Sequence, residues 1–311
     1  MKSNAKLMVI FLITLGILFA FSHIITNNLR VISDNNNKSS DISEICNLDN
    51  KNVKISAVSG RIHIDNNWSA AKIAGICTGN GTYSEPYVIE DLVIDVGGVG
   101  SGILIENSEV YFRIENCTIY NAVGIWHAGI KLSYVNNSQL INNNFSSNYN
   151  GIRLEYSNRN SVLGNFMSNN GGILLAWSDN NTLSGNTVNK AGYYGIFIAG
   201  DFNVILENIV NNSKNSGIEL EGDHNTVSGN TIKNNSIGIN LSGASNNIVS
   251  GNVLMGNEYC ILEGSGCEDN IFSNNDCGQS QGIPGYNLFF LVSILAIVAI
   301  LMSRKFKKSQ I

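Results

Sequence analysis

The chain has 311 residues, of which 19 are basic and 24 acidic, giving a formal net charge of −5 and a charged fraction of only 14%. So sparse and slightly acidic a charge excludes the clustered Lys and Arg of a nucleic-acid binder. With 31 glycines, 2 prolines and 43% apolar residues, the composition fits one folded domain flanked by apolar ends, and leaves nothing over for a second globular unit.

Residues 1–25 carry Lys2 and Lys6 ahead of an apolar run from Leu7 to Phe21, which predicts a signal peptide or signal anchor. Residues 26–52 form a polar lead-in rich in Asn and Ser. From Val53 to Trp68 apolar and polar residues alternate through Ile55, Ala57, Ile62 and Ile64, predicting a pair of strands that closes the first coil of a domain spanning 53–277.

Within that domain one unit repeats every 21 to 23 residues. Asn160-Ser-Val-Leu-Gly-Asn165 returns as Asn181-Thr-Leu-Ser-Gly-Asn186, Asn203-Val-Ile-Leu-Glu-Asn208, Asn225-Thr-Val-Ser-Gly-Asn230, Asn247-Ile-Val-Ser-Gly-Asn252 and Asn270-Ile-Phe-Ser-Asn-Asn275. Between the copies falls Gly-Ile-x-Leu or a near relative, as in Gly129-Ile-Lys-Leu132, Gly151-Ile-Arg-Leu154 and Gly217-Ile-Glu-Leu220. A period this short excludes helical-pair repeats, and the two-residue alternation inside each unit excludes a helix, so each unit reads as one coil of three short strands. Stacked coils pair their strands in parallel, about eight coils in all. An Asn at one position of every coil suits a tight left-handed turn and lets side-chain amides donate and accept along a ladder. The ladder is read through Asn144, Asn165, Asn186, Asn208, Asn230, Asn252 and Asn275, with Cys117 aligned to it as a stacked interior thiol.

These repeats resemble those of right-handed parallel β-helix proteins of the pectin-lyase-like superfamily. The segments Gly79-Asn-Gly-Thr-Tyr-Ser-Glu-Pro-Tyr-Val-Ile-Glu90 and Phe112-Arg-Ile-Glu-Asn-Cys-Thr-Ile-Tyr-Asn121 are similar to the opening of NosD-like β-helix domains found in archaeal surface proteins. The resemblance implies an all-β fold and says little about function, since this fold hosts lyases, hydrolases, adhesins and binding proteins. It also raises copper-site maturation, but His63, His127, His224, Met167 and Met255 are scattered over different coils without ligand spacing.

Three constellations stand out along the coils. Asp179, Asp201 and Asp223 each precede a ladder-opening Asn by two residues; stacked, they would form either a calcium-binding ladder or a row of turn residues accepting local backbone bonds. Tyr134, Tyr156 and Trp177 also align, with Gly200, Gly222, Gly243 and Gly264 following at the same position. Facing inward, as an aromatic core stack, is the expected use of these rings; facing outward, they would form a platform for sugar rings beside a shallow groove. The third residue of Gly-Ile-x-Leu is expected to face solvent and reads Lys131, Arg153, Leu174, Phe197, Glu219 and Asn240. Arg153 with Lys131, as in a lyase, and Asp201 with Asp223 and Glu219, as in a hydrolase, are the only catalytic candidates, and neither set sits in a catalytic motif. An insertion at Tyr120–His127 lengthens one coil and predicts a loop at a binding face.

Cys260, Cys267 and Cys277 crowd the last coil while Cys46 and Cys77 flank the first, which in an exported chain reads as disulfides of open connectivity. Sequons at Asn37, Asn67, Asn80, Asn136, Asn180, Asn211 and Asn234 would permit glycosylation. Residues 278–287 form a linker ending in Ile283-Pro-Gly-Tyr-Asn287, residues 288–303 an apolar membrane helix and residues 304–311 a basic tail held in the cytoplasm. This tripartite end resembles archaeal sorting signals of the PGF type, with Tyr286-Asn287 in place of Phe. The sequence therefore predicts a membrane-tethered, monomeric, extracellular β-helix protein, without an obligatory cofactor, that binds a polysaccharide, another glycan or a surface protein. The alternatives are a tethered lyase or hydrolase and a copper accessory protein.

Overall fold

A computed structural model describes residues 58–168 and 171–278. The signal, lead-in, membrane and tail segments expected from the sequence lie outside these residues, as does Cys46. Among the described residues no helix is long and apolar enough to cross a membrane.

The coil that contains Trp177 shows how the sequence folds. Ile173–Ala176, Thr182–Ser184 and Thr187–Asn189 are three strands separated by corners, and each joins a different parallel sheet. Sheet I contains Thr187–Asn189 and has 8 strands, sheet II contains Ile173–Ala176 and has 9, and sheet III contains Thr182–Ser184 and has 9, so the domain is a parallel β-helix of about eight coils. The registers are continuous: Leu175 pairs with Ile198, Leu183 with Ile205 and Val188 with Val210. The inward file of each strand, including Leu175, Leu183, Val188, Ile198, Ile205 and Val210, is fully buried. Each such side chain contributes about 1.5–3 kcal/mol by leaving water, and the strand alternation is what puts them all on one face.

Corners are built from a left-handed residue followed by a buried Asn. Gly164, Gly185, Glu207, Gly229 and Gly251 have φ between 55° and 65° and directly precede Asn165, Asn186, Asn208, Asn230 and Asn252. The left-handed angle thus falls one residue before the ladder rather than on it, because the turn must be completed before the amide can point inward. Each ladder Oδ1 accepts the backbone N–H of the Asn one coil earlier, as in Asn186 to Asn208 (2.9 Å) and Asn208 to Asn230 (2.8 Å). Its Nδ2 donates back to a strand carbonyl, as Asn208 does to Leu183 (2.9 Å). Polar groups that burial would otherwise penalise are thereby satisfied.

Asn144 is a correction. It is exposed and pairs in register with Phe166, and the ladder member of that coil is Asn143, whose N–H donates to Asn165 Oδ1 at 3.0 Å. A second ladder, through Asn160, Asn181, Asn203, Asn225, Asn247 and Asn270, lines the corner between sheets II and III. Cys117 starts the first ladder by donating its N–H to Asn143 Oδ1 (2.9 Å); burial pushes its thiol up to about 11.

The first coil closes differently from expectation. After the strands Val58–Ser59 and Ile62–Asp65, which pair with the next coil, a short helix Trp68–Ile73 turns Trp68 and Ala71 into the core. Trp68 stacks on Tyr87 (4.9 Å between centroids), packs against Phe112 and donates its indole N–H to Ser108. At the other end Cys260 and Cys277 form a disulfide.

Candidate functional site

The outer face of sheet II and its two borders gather the candidate residues. Strand pairing sets His63, Leu104, Lys131, Arg153, Leu174, Phe197, Glu219 and Asn240 in one continuous file across the coils. The file points away from the core, yet Arg153 is only 5% exposed and Glu219 only 3%, so its middle is covered rather than open to solvent as the sequence suggested. Part of the cover is the insertion at residues 120–127: the Arg153 guanidinium lies 5.0 Å from the ring centroid of Trp126, whose indole is itself 67% exposed.

Beneath this loop Glu155 accepts from Arg153 (2.5 Å) and from Lys131 (2.8 Å). Burial alone would raise the Glu155 carboxyl, but the two cations outweigh it and hold the group below the ordinary carboxylate range. Arg153 is therefore a fixed, paired guanidinium that anchors the Trp126 loop and is unsuited to taking up a proton. Farther along the file Glu219 is pushed upward, mainly by burial. Its Oε1 accepts from Asn240 (2.7 Å), while Oε2 is buried without a partner. Burial, together with the charge of Glu219, also raises the neighbouring Tyr194 phenol. The sequence put Glu219 on the outer file but gave no sign of this enclosure; Phe197 is its partner on the preceding strand and Tyr194 lies within electrostatic reach.

Tyr134, Tyr156 and Trp177 border sheet II at its corner with sheet III, and they point outward. All three have left-handed backbone angles, with φ of 55°, 47° and 49°, which swing the side chains away from the core. The interior stack expected from the sequence is thus overturned. The rings stack on one another at 4.9 and 5.0 Å with interplanar angles of 8° and 12°. The inner faces are covered by neighbouring rings, and Trp177, 62% exposed, ends the row. The next two coils turn with one residue fewer, at Gly200 and Gly222, where a Cβ would fall 2.2 Å from the Ser178 carbonyl and 2.0 Å from that of Gly200. No side chain can grow there to cover the indole.

Asp179, Asp201 and Asp223 form a row at the same corner. Asp179 Oδ1 accepts the N–H of Asp201 and Asp201 Oδ1 that of Asp223, each at 2.8 Å, while Asp223 accepts from Ser245 (2.7 Å). The row continues the bonds that Asn136 and Asn158 make in earlier coils, so these carboxylates act as backbone acceptors between coils. Among the described residues no group of three or more His, Cys, Asp or Glu is placed to hold a metal ion.

Residues 78–281 match the family described as periplasmic copper-binding protein (NosD). The chain belongs to the NosD family. The match covers the coil domain, and the family's periplasmic description agrees with export of the coils. The structure brings His63 and His127 to one recess with Glu106, but among the described residues these form no group of three or more His, Cys, Asp or Glu placed to hold a metal. His63 Nε2 is engaged by Glu106 (2.8 Å), His127 Nδ1 accepts from Gly100 (3.2 Å), His224 stacks on Phe202 and Met167 is fully buried in the core. Among curated proteins no sequence matches. Among solved structures the chain is similar to ORF18 of Geobacillus virus E2, with 17% identity over 60% of this chain and a TM-score of 0.50; the match spans only 41% of the viral protein. It is also similar to the periplasmic alginate epimerase AlgG (16% identity, 70% of this chain and 68% of that one, TM-score 0.44). A third is the catalytic unit of a GH87 α-1,3-glucanase from Streptomyces thermodiastaticus strain HF3-3 (15%, 62% and 49%, TM-score 0.43). At these identities the likeness concerns the fold alone.

Proposed function

We propose that this NosD-family chain is a membrane-tethered protein whose coil domain lies outside the cell and binds glycan, without turning it over, on the outer face of sheet II. The outward aromatic row ending at Trp177 carries the reading. An exposed indole propped by two stacked tyrosines, beside a glycine turn that leaves its face open, is a rigid apolar plate with polar surroundings, as a sugar ring requires. Trp126, 67% exposed and held over the Arg153 guanidinium, supplies a second aromatic on the same face.

The competing reading is a tethered lyase or hydrolase. Asp201 is committed to the coil-to-coil bonds and Arg153 to Glu155, so Glu219, a buried carboxyl with a raised pKa, is the acid such a reading would have to use. Incubating the full chain in detergent with acidic and neutral polysaccharides, and following both retention and new reducing or unsaturated ends, separates the two. Retention without products, weakened in Trp177→Ala, is expected. Products that vanish in Glu219→Gln or Arg153→Ala would replace the binding reading by an enzymatic one.

A further inference from the structure

At the corner between sheets I and II, on the border opposite the aromatic row, lies a recess of about 740 Å³. Gly171 and Gly172 form its floor. A Cβ on Gly171 would meet the Tyr149 carbonyl at 2.0 Å and one on Gly172 the Gly195 carbonyl at 1.6 Å, so only glycine lets three successive coils lie backbone against backbone here. Gly171 and Gly172 therefore lie low, between residues of the coils before and after. Tyr149 rises from the coil before, and Tyr193 from the coil after; both rings are exposed. Lys190 and Lys214 stand at the rim, both exposed, and no described residue lining the recess is acidic. In a chain with more acidic than basic residues, such a one-signed lining is a local reversal of charge.

We infer that this recess is a specificity pocket for a terminal, negatively charged sugar, with the carboxylate taken by Lys190 and Lys214 and the ring by Tyr149 and Tyr193. Tyr149 and Tyr193 flank the recess on the coils before and after, an arrangement that suits a chain end or branch better than a polymer laid along the sheet. A chain end or branch can enter. Its volume falls in the range of small-molecule sites. Two lysines on a lining without a described acidic residue would favour an anion over a neutral sugar. This inference rests on the glycan-binding reading above and adds the ligand's charge and its terminal position.

The test uses the full chain in detergent and calorimetric titration with two probes, 3′-sialyllactose and a disaccharide ending in glucuronate, each beside its neutral methyl ester. At least one acid should bind tenfold or more tightly than its ester, with a preference that fades as salt is raised. The Lys190→Gln/Lys214→Gln double variant should abolish that preference and leave the melting temperature unchanged, while Lys190→Arg should keep it and Trp177→Ala should not alter it. Equal binding of acid and ester for both probes, or no binding of either, overturns the pocket. So does a preference that survives the double variant. If neutral polysaccharides are still retained in a Trp177-dependent way, the pocket alone has failed; if nothing is retained, the glycan reading has failed with it.

Discussion

At the level of single residues, the ladder separates amides that look alike in the sequence. Asn208 accepts the N–H and the amide of Asn186, and its own N–H and Nδ2 bond to Asn230 and Leu183. Replacing it by Leu strands these buried groups and should cost about 1–3 kcal/mol, whereas exposed Asn144→Ser should stay within about half a kcal/mol. Denaturant melts of the two variants check this, and equal losses would refute the ladder's role. The recurrence of Asn at a fixed interval made the first ladder legible. It could not fix the register in the coil of Asn142, Asn143 and Asn144, where three neighbouring amides compete and only the direction of the strand decides. The second ladder is written in the same motif, at its opening Asn, where an Asn at a strand start equally serves as an ordinary turn residue. Glu219 was legible in position only. Its raised carboxyl means that the folded state holds the proton more tightly than the unfolded chain does, so stability falls as pH rises from the ordinary value of 4.5 through the higher folded one. Glu219→Gln should therefore melt higher than the parent at pH 8 and level with it at pH 3.5. A gap of the same size at both pH values would show that the change is steric.

Elements follow from the same rules with different visibility. The strands were legible because their inward residues alternate, as in Ile173 and Leu175, and because Gly-Ile-x-Leu or a near relative marks the same sheet from Gly102 to Leu241. Trp68–Ile73 was not, since a six-residue helix is too short to display a helical period and the strand alternation before it carries through Ile62 and Ile64. The outward turn of Tyr134, Tyr156 and Trp177 was hidden for another reason. Their left-handed angles are unusual for aromatic residues, and propensity alone favours a buried ring. Coil packing at the sheet I to sheet II corner yields a sharp comparison. Gly172→Ala would drive a Cβ to 1.6 Å from the Gly195 carbonyl, whereas a Cβ on Gly192 would meet nothing within 4 Å. The first should lower stability by at least about 1–3 kcal/mol and the second should be nearly neutral. Calorimetric melting of both variants is the check, and a neutral Gly172→Ala would mean that the coils are not in backbone contact there.

In the molecule as a whole, each coil bonds only to the coils before and after it, so stability is a sum of local terms and the terminal coils have one neighbour fewer. The last one shows the consequence. Ile271 and Phe272 on its sheet III strand are exposed, whereas Val249 one coil earlier is fully buried. The Cys260–Cys277 bridge ties this coil together across a sequence separation of 17, a loop for which chain entropy gives about 3 kcal/mol of constraint on the unfolded segment. In a two-state globular domain a lost disulfide would lower protection everywhere alike. In a stack of nearest-neighbour terms, Cys277→Ser should instead release the strands Tyr259–Glu263 and Ile271–Ser273 while coils near Asn208, several interfaces away, keep their protection. Native-state hydrogen exchange read by mass spectrometry resolves the two cases. A graded loss that is largest at the terminal coil and fades toward Asn208 is expected, and a uniform loss would show that the coils unfold as one unit.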